Sequence, residues 1–158
     1  MSKEIERKFL LSPGAEIPAM EGVDIVQAYL NTNPDATVRI RIIGPEARLT
    51  VKSRNRGSVR HEWEYPVPVA DARAMLEHCA CAGLISKTRF RVPAAEPGLV
   101  WEIDVFHGPL EGLVLAEIEL PDEDTAVELP SFVGREVTDD PRYYNSSLGT
   151  ASELPPLV

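Results

Sequence analysis

The feature of this sequence that most constrains its fold is a series of short segments in which charged and apolar residues alternate. In a β-strand, side chains two residues apart lie on the same face of the sheet. Residues that break regular structure separate these segments, since the chain of 158 residues contains 14 Pro and 10 Gly. This pattern favours many short strands over a few long helices.

Eight segments are predicted as strands, and short turn sequences such as Gly44-Pro45 and Asn55-Arg56-Gly57 separate several of them. One helix is predicted at 69–81, with Gly83 just past its end. A short helical turn within 12–22 and a short helix near 129–134 are further expectations. The predicted strands are 3–10, 23–31, 37–43, 47–53, 59–65, 84–92, 99–106 and 113–120.

The predicted fold class is α+β and mainly β. Strands joined by short turns are antiparallel, because a parallel connection needs a dozen or more residues. Eight such strands and one helix predict a barrel or a strongly curved sheet. The length predicts one domain over 1–150, followed by a flexible tail over 151–158 that contains Pro155-Pro156.

Seven of the eight predicted strands carry a charged face, often as two like charges separated by one residue. A solvated outer face of an apolar barrel is one interpretation of this pattern. Like charges close together repel, however, so repeated pairs favour a charged interior that holds something of opposite charge. The acids are Glu4, Glu6, Glu62, Glu64, Glu102, Asp104, Glu117 and Glu119, and the bases are Lys8, Arg39, Arg41, Lys52, Lys87 and Arg89.

A charged interior of this kind suits a particular class of ligand. Clustered carboxylates are the hard oxygen ligands that Mg²⁺ and Mn²⁺ select, and Arg and Lys clusters select phosphate. Buried charges are costly unless they are hydrated or neutralised, so the interior must contain water, or metal and ligand. An eight-stranded barrel is wide enough for one small ligand. Together these features favour a polyphosphate bound with divalent metal.

Glu4-Ile5-Glu6-Arg7-Lys8 resembles the ExExK signature of the CYTH superfamily, the triphosphate tunnel metalloenzymes. The later charged pairs follow in the family's order, so the resemblance spans 3–120. It continues through Gly134 to Thr138 and through Tyr143-Tyr144-Asn145, which are similar to the C-terminal segment of the short bacterial members of the family. The family often has Lys where this chain has Arg135.

The resemblance implies an eight-stranded antiparallel β-tunnel with helices packed outside. It also implies hydrolysis of a triphosphate with Mg²⁺ or Mn²⁺, through two ions, and inorganic tripolyphosphate is the expected substrate. The alternatives are a class IV-type adenylate cyclase, a nucleoside or thiamine triphosphatase, and a polyphosphate binder without catalysis.

The resemblance and the chemistry of the side chains together assign roles to residues. Tyr29, Glu4 and Glu6 are the catalytic candidates, with Tyr29 either accepting a proton or positioning water or substrate. The expected metal ligands are Glu4, Glu6, Asp104, Glu117 and Glu119. The expected substrate contacts are Lys8, Arg39, Arg41, Lys52, Lys87, Arg89 and Arg135. The carboxylates expected to hold these cations in place are Glu62, Glu64 and Glu102.

The overall charge restricts the possible partners. The net charge is −9, which disfavours binding to duplex nucleic acid or to anionic membranes. The sequence has no apolar run near the ~20 residues of a membrane span and no signal-peptide pattern at its N-terminus. The expectation is a cytoplasmic protein, monomeric or homodimeric, that acts on a small-molecule triphosphate.

Overall fold

The computed structural model describes residues 2–81, 84–149, 151 and 153–158. Gly83, predicted to follow the helix, and part of the predicted tail lie outside the described residues. The strands are β1 (Ser2–Leu11), β2 (Val23–Tyr29), β3 (Ala36–Ile43), β4 (Glu46–Ser53), β5 (Val59–Val67), β6 (Ile85–Pro93), β7 (Val100–Phe106), β8 (Val114–Glu119) and β9 (Val133–Glu136). The helices are α1 (Val69–His78) and α2 (Asn145–Leu148), with 3-10 turns at Gly108–Leu110 and Pro141–Tyr143.

The first eight strands form a closed antiparallel barrel, which confirms the predicted fold. Their order is β5-β4-β3-β2-β6-β7-β8-β1, and β1 also pairs with β5. The long strand β1 makes this closure possible because its two halves have different partners. Its first half pairs with β5, where Glu4 lies opposite Arg60, and its second half pairs with β8, where Lys8 lies opposite Glu117.

The chain after β8 differs from the prediction. The helix predicted near 129–134 is wrong, because Val133–Glu136 forms β9 and pairs with the end of β1. Gly134 allows this close approach, since a Cβ atom there would lie 2.8 Å from the carbonyl oxygen of Leu11. The partner strand is more than a hundred residues away in sequence, so local propensity does not reveal the pairing. The helical turn expected within 12–22 is also wrong, since that segment contains only turns and bends.

Helix α1 covers the outer face of β3 and β4. Ala72, Met75 and Leu76 are spaced for one helix face, and they pack against Ile40 and Ala47. The helix ends at His78, and the N–H of the next residue, Cys79, donates to the Met75 carbonyl. The predicted helix extends further, to residue 81. No helix in the described part of the chain has the length and hydropathy required to cross a bilayer.

A larger apolar cluster covers the outer face of β1, β7 and β8. Phe9 and Trp101 meet edge to face with ring centroids 5.6 Å apart, and Phe132 from the chain before β9 packs on Trp101. Ile103 and Ile118 are fully buried in the same cluster. Because these apolar side chains face outward and are covered, the alternating charged side chains face the barrel interior.

The interior itself is apolar at one end of β1, β6, β7 and β8. Leu10, Ile85, Phe106 and Leu115 share strand faces with charged interior residues, and they cluster with the buried ring of Tyr143. The hydroxyl of Tyr143 donates to the carbonyl oxygen of Pro156 at 2.6 Å. The charged cavity therefore occupies only part of the barrel length, above an apolar base.

Candidate active site

The charged part of the barrel interior encloses a cavity of about 210 Å³. Its wall is almost entirely polar, and most of the side chains come from the alternating faces of the strands. The lining residues are Glu4, Glu6, Lys8, Tyr29, Arg39, Arg41, Lys52, Asn55, Gly57, Ser58, Arg60, Glu62, Glu64, Arg89, Glu102, Glu117, Glu119, Thr138, Tyr144 and Asn145.

Acidic and basic side chains occupy different halves of this wall. Four adjacent strands, β7, β8, β1 and β5, form what we call the acidic arc, and the other four, β4, β3, β2 and β6, form the basic arc. Lys8 and Arg60 are cations within the acidic arc. The acidic arc contributes Glu102, Glu117, Glu119, Glu4, Glu6, Glu62 and Glu64, and the basic arc contributes Lys52, Arg39, Arg41 and Arg89, together with Tyr29.

Crowded carboxylates in the acidic arc perturb one another. Burial raises the pKa of Glu119 above its ordinary value, and Glu4 and Glu6 raise it further. Burial also raises the pKa of Glu4 against the opposing effect of Lys52. Within the described part of the chain, no three acidic, cysteine or histidine side chains converge closely enough to chelate an ion as they stand. The donor chemistry nevertheless fits a hard cation, because a positive ion would stabilise the charged form of carboxylates whose pKa values are raised by burial and by their carboxylate neighbours.

Asp104 and Lys87 lie behind the cavity wall rather than on it. Lys87 is 0% exposed and Asp104 is 1% exposed, and the two are joined by an ion pair of 2.7 Å. Arg89 also donates to both Asp104 oxygens, at 2.7 and 2.8 Å. Burial alone would raise the pKa of Asp104, but Lys87 and Arg89 hold it well below its usual range. Both carboxylate oxygens of Asp104 are therefore engaged by cations.

Glu62 and Glu102 contact cations of the wall, whereas Glu64 contacts Arg48, which does not line the cavity. Glu62 lies 3.5 Å from the Lys52 ammonium, which also contacts Glu4 at 3.0 Å. Glu102 lies 3.3 Å from Arg89. The carboxylate of Glu64 accepts hydrogen bonds from Arg48 at 2.9 Å and from the hydroxyl of Thr50 at 3.1 Å. These contacts fix the positions of several side chains on both arcs.

Arg39 and Arg41 differ from the other two cations of the basic arc, Lys52 and Arg89. Neither forms an ion pair with a carboxylate of the described residues. Arg39 is 4% exposed, and its Nη2 atom lies 3.5 Å from the Thr50 hydroxyl. The Nε of Arg41 donates to the Gln27 amide oxygen at 2.9 Å. Burial and the adjacent Arg39 and Arg89 guanidiniums lower the pKa of Arg41 to about 9. The basic arc thus contains positive charge without an anionic partner.

The sequence matches the CYTH domain family model over residues 2–147. The chain belongs to the CYTH domain family. It is 44% identical over 148 residues to the inorganic triphosphatase of Acetivibrio thermocellus, and the match covers 94% of each chain. It is 38% identical over 150 residues to the inorganic triphosphatase of Nitrosomonas europaea, with 92% of this chain and 95% of that protein covered.

Solved structures show the same architecture as this CYTH domain. The crystal structure of the inorganic triphosphatase NE1496 matches with a TM-score of 0.66 at 33% identity, over 94% of this chain and 99% of that one. A putative adenylate cyclase from Bacillus halodurans matches with a TM-score of 0.58 at 18% identity, over 78% of this chain and 84% of that one. The second likeness shows the fold alone.

Lys8 and Tyr29 of this CYTH domain both line the cavity. The Lys8 ammonium donates to the Tyr143 carbonyl at 3.0 Å and lies 3.5 Å from Glu117. Burial alone would lower the pKa of Lys8, but Glu117 and Glu6 raise it above its ordinary value. The Tyr29 carbonyl accepts from the Cys81 N–H at 3.1 Å, which holds the end of β2.

Arg135 is predicted to contact substrate, but the structure does not bring it to the cavity. Its side chain is exposed, and one guanidinium nitrogen lies 3.4 Å from the Tyr143 hydroxyl. Arg135 belongs to β9, which pairs beside the end of β1 rather than completing the barrel.

Several residues of the CYTH domain cavity were not identified from the sequence. Arg60 lines the wall, and its position could have been found, because it alternates with Glu62 and Glu64 on one face of β5. Asn55 and Ser58 come from the β4–β5 turn, where Gly57 adopts a positive φ of 60°. The remaining residues come from the segment after β9 and carry no strand periodicity; they are Thr138, Tyr144 and Asn145.

Proposed function

We propose that this CYTH domain hydrolyses inorganic tripolyphosphate in the barrel cavity with the help of a divalent metal ion. One observation carries the proposal, namely that an arc of carboxylates faces an arc of cations across one cavity, and two of those cations, Arg39 and Arg41, have no carboxylate partner among the described residues. A metal polyphosphate is a ligand with both signs of charge, so it matches both arcs at once. Two relatives with high coverage are named inorganic triphosphatases.

The basic arc would bind the phosphate chain. Arg39 and Arg41 present guanidinium groups that carboxylates do not neutralise, and a guanidinium binds phosphate oxygens in pairs. Lys52 and Arg89 line the same wall and are held by carboxylates. Lys8 and Arg60 would reach the substrate from the acidic side. Cations at these positions neutralise charge on the leaving phosphate as the bond breaks.

The acidic arc would hold the metal, as two ions of Mg²⁺ or Mn²⁺. The residues we assign are Glu4, Glu6, Glu117 and Glu119, whose side chains must approach one another more closely than they do in the structure. When bound, the ions supply charge neutralisation of phosphoryl oxygens and a water of lowered pKa. The residues' own contribution is to release their protons and to orient oxygen donors into the cavity.

Asp104 and Lys87 have a different role in this proposal. Both carboxylate oxygens of Asp104 accept hydrogen bonds from Lys87 or Arg89, so we assign Asp104 the role of holding Arg89 at the wall. Lys87 acts through Asp104 instead of touching the substrate, because no part of it is exposed to the cavity. Glu62 and Glu102 likewise hold Lys52 and Arg89 in place. Glu64 accepts from the Thr50 hydroxyl, which in turn contacts Arg39. Tyr29 contributes its hydroxyl, either as a proton acceptor or as a group that orients water or substrate.

A panel of substrates tests the proposal. Purified protein is given tripolyphosphate, pyrophosphate, ATP or thiamine triphosphate, each with Mg²⁺, with Mn²⁺ or with EDTA, and phosphate and cyclic AMP are measured. We expect phosphate release to be fastest from tripolyphosphate and to be abolished by EDTA. Cyclic AMP formation from ATP without tripolyphosphate hydrolysis, or undiminished turnover in EDTA, would overturn the proposal.

A further inference from the structure

The cations of the cavity differ in what holds them. Lys8, Lys52 and Arg89 each lie within 4.0 Å of a carboxylate. Arg41 instead donates from its Nε to the amide oxygen of a glutamine, at 2.9 Å. A neutral amide oxygen therefore takes the place of a carboxylate at Arg41, at a shorter distance than the 3.5 Å contact between Arg39 and the Thr50 hydroxyl.

The glutamine in question, Gln27, is built into the barrel. It is 0% exposed, and it lies on the central part of β2 between two neighbouring strands. In the β2–β3 register it is directly opposite Arg41, and in the β2–β6 register it is directly opposite Ile85. Packing on both sides leaves its side chain little freedom, so the amide oxygen is a fixed acceptor.

We infer that Gln27 is a positioning residue that orients the Arg41 guanidinium while leaving its positive charge uncompensated for the substrate. The inference rests on the proposed function of the cavity. A carboxylate at this position would hold the guanidinium equally well, but it would form an ion pair and cancel the charge. An apolar side chain would preserve the charge and lose the orientation. Only a neutral acceptor provides both properties.

Folding alone does not explain a glutamine at this site. The Nε2 atom of Gln27 is buried and has no hydrogen-bond partner among the described residues. A buried donor without a partner costs folding free energy, whereas leucine or methionine would fill a similar volume without that cost. The hydrogen bond that the amide oxygen accepts from Arg41 gives a reason for a glutamine here despite this cost in folding free energy.

Two substitutions with opposite defects test the inference. Gln27→Glu keeps an acceptor and cancels the charge, and Gln27→Leu keeps the charge and removes the acceptor. Binding of tripolyphosphate to the metal-free protein is measured by calorimetry, and KM and kcat are measured with Mg²⁺. We expect Gln27→Glu to weaken binding by about ten- to a hundredfold, and Gln27→Leu to weaken it by about three- to tenfold. Wild-type affinity in Gln27→Glu, or a reversed order, would overturn the inference.

The Arg41→Ala background separates an effect through Arg41 from a general one. If Gln27 acts through Arg41, both Gln27 substitutions change binding little when Arg41 is already absent, and equal losses in both backgrounds contradict the inference. Asn55→Asp is the matched control for charge, since Asn55 lines the same cavity without a hydrogen bond to Arg41. We expect a smaller loss from Asn55→Asp than from Gln27→Glu.

Melting temperatures identify any variant that fails to fold. If Gln27→Glu fails to fold, the inference is tested by comparing the effect of Gln27→Leu on binding in the presence and in the absence of Arg41. A wild-type protein that binds tripolyphosphate but hydrolyses nothing contradicts the proposed function and leaves the ranking of variants to test Gln27. A wild-type protein that does not bind tripolyphosphate contradicts both.

Discussion

The acidic and basic arcs accommodate crowded like charges in different ways. In the acidic arc, burial and, to a smaller extent, nearby carboxylates raise the pKa values of Glu4 and Glu119, so protons or a cation can relieve the crowding. In the basic arc, Asp104 neutralises part of the charge around Arg89, while Arg39 and Arg41 have neutral partners. One wall is thus prepared to take up a cation and the opposite wall to take up an anion. A ligand that carries both charges engages the two walls together.

Removing a carboxylate from the acidic arc is expected to have the largest effect. Glu119→Gln keeps the size of the side chain and removes an anionic oxygen that we assign to the metal. We expect kcat/KM for tripolyphosphate to fall at least about 100-fold, and the Mg²⁺ concentration for half-maximal rate to rise. Glu77→Gln on the exposed face of α1 is the control and should match the wild type. An unchanged metal dependence in Glu119→Gln would count against this assignment.

Removing a cation from the basic arc should affect substrate capture more than metal dependence. Arg39→Ala deletes a charged donor, and such a hydrogen bond contributes about 1.5–3 kcal/mol. We expect kcat/KM to fall about ten- to a hundredfold, mostly through KM, with the metal requirement unchanged. Arg73→Ala on exposed α1 controls for loss of surface charge. If Arg39→Ala changed only the metal requirement, the assignment of substrate binding to the basic arc would be contradicted.

Arg60 is a cation within the acidic arc, so its substitution tests whether substrate contacts are confined to the basic arc. If its guanidinium reaches the substrate, Arg60→Ala should raise KM for tripolyphosphate by about three- to tenfold and leave metal affinity unchanged. Steady-state kinetics and metal titration measure the two quantities separately. Tighter metal binding with an unchanged KM would instead show that Arg60 only balances the nearby carboxylates.

The pH dependence of metal binding is the smallest expected effect. Carboxylates must lose their protons to bind a cation. Because the pKa values of Glu4 and Glu119 are raised, these groups take up protons at a higher pH than ordinary carboxylates. Mn²⁺ affinity should therefore begin to fall at a higher pH than it would with ordinary carboxylates, and it should fall less steeply in Glu119→Gln. Calorimetry at several pH values measures this, and an affinity independent of pH would contradict it.

The barrel was predictable because its strands alternate in the residues that face inward and outward. The segment predicted at 59–65 appears as Val59–Val67, and the segment predicted at 37–43 appears as Ala36–Ile43. The four-residue strand β9 was not predictable in this way. It has no alternating pattern, and its partner is the distant end of β1, so only the folded barrel defines it.

Alternation also predicted which side chains face the interior, but it did not predict their depth. Arg89 reaches the cavity, whereas Lys87 on the same face of β6 is buried behind the wall. The difference follows from the β6–β7 register, which sets Arg89 opposite Asp104 and Lys87 opposite Phe106. A sequence pattern fixes the face of a strand, but the stagger between strands fixes the height of each residue in the barrel.

The pairing of β1 with both β5 and β8 has a consequence for how the protein folds. Glu6 meets Glu119 only when the first and eighth strands join, so the carboxylate cluster requires the closing of a loop of more than a hundred residues. Contacts this distant in sequence are typical of proteins that fold slowly. During synthesis, the early strands can form hairpins while the ribosome is still adding the later ones. The carboxylate side of the cavity is therefore complete only after β1 has paired with both β5 and β8.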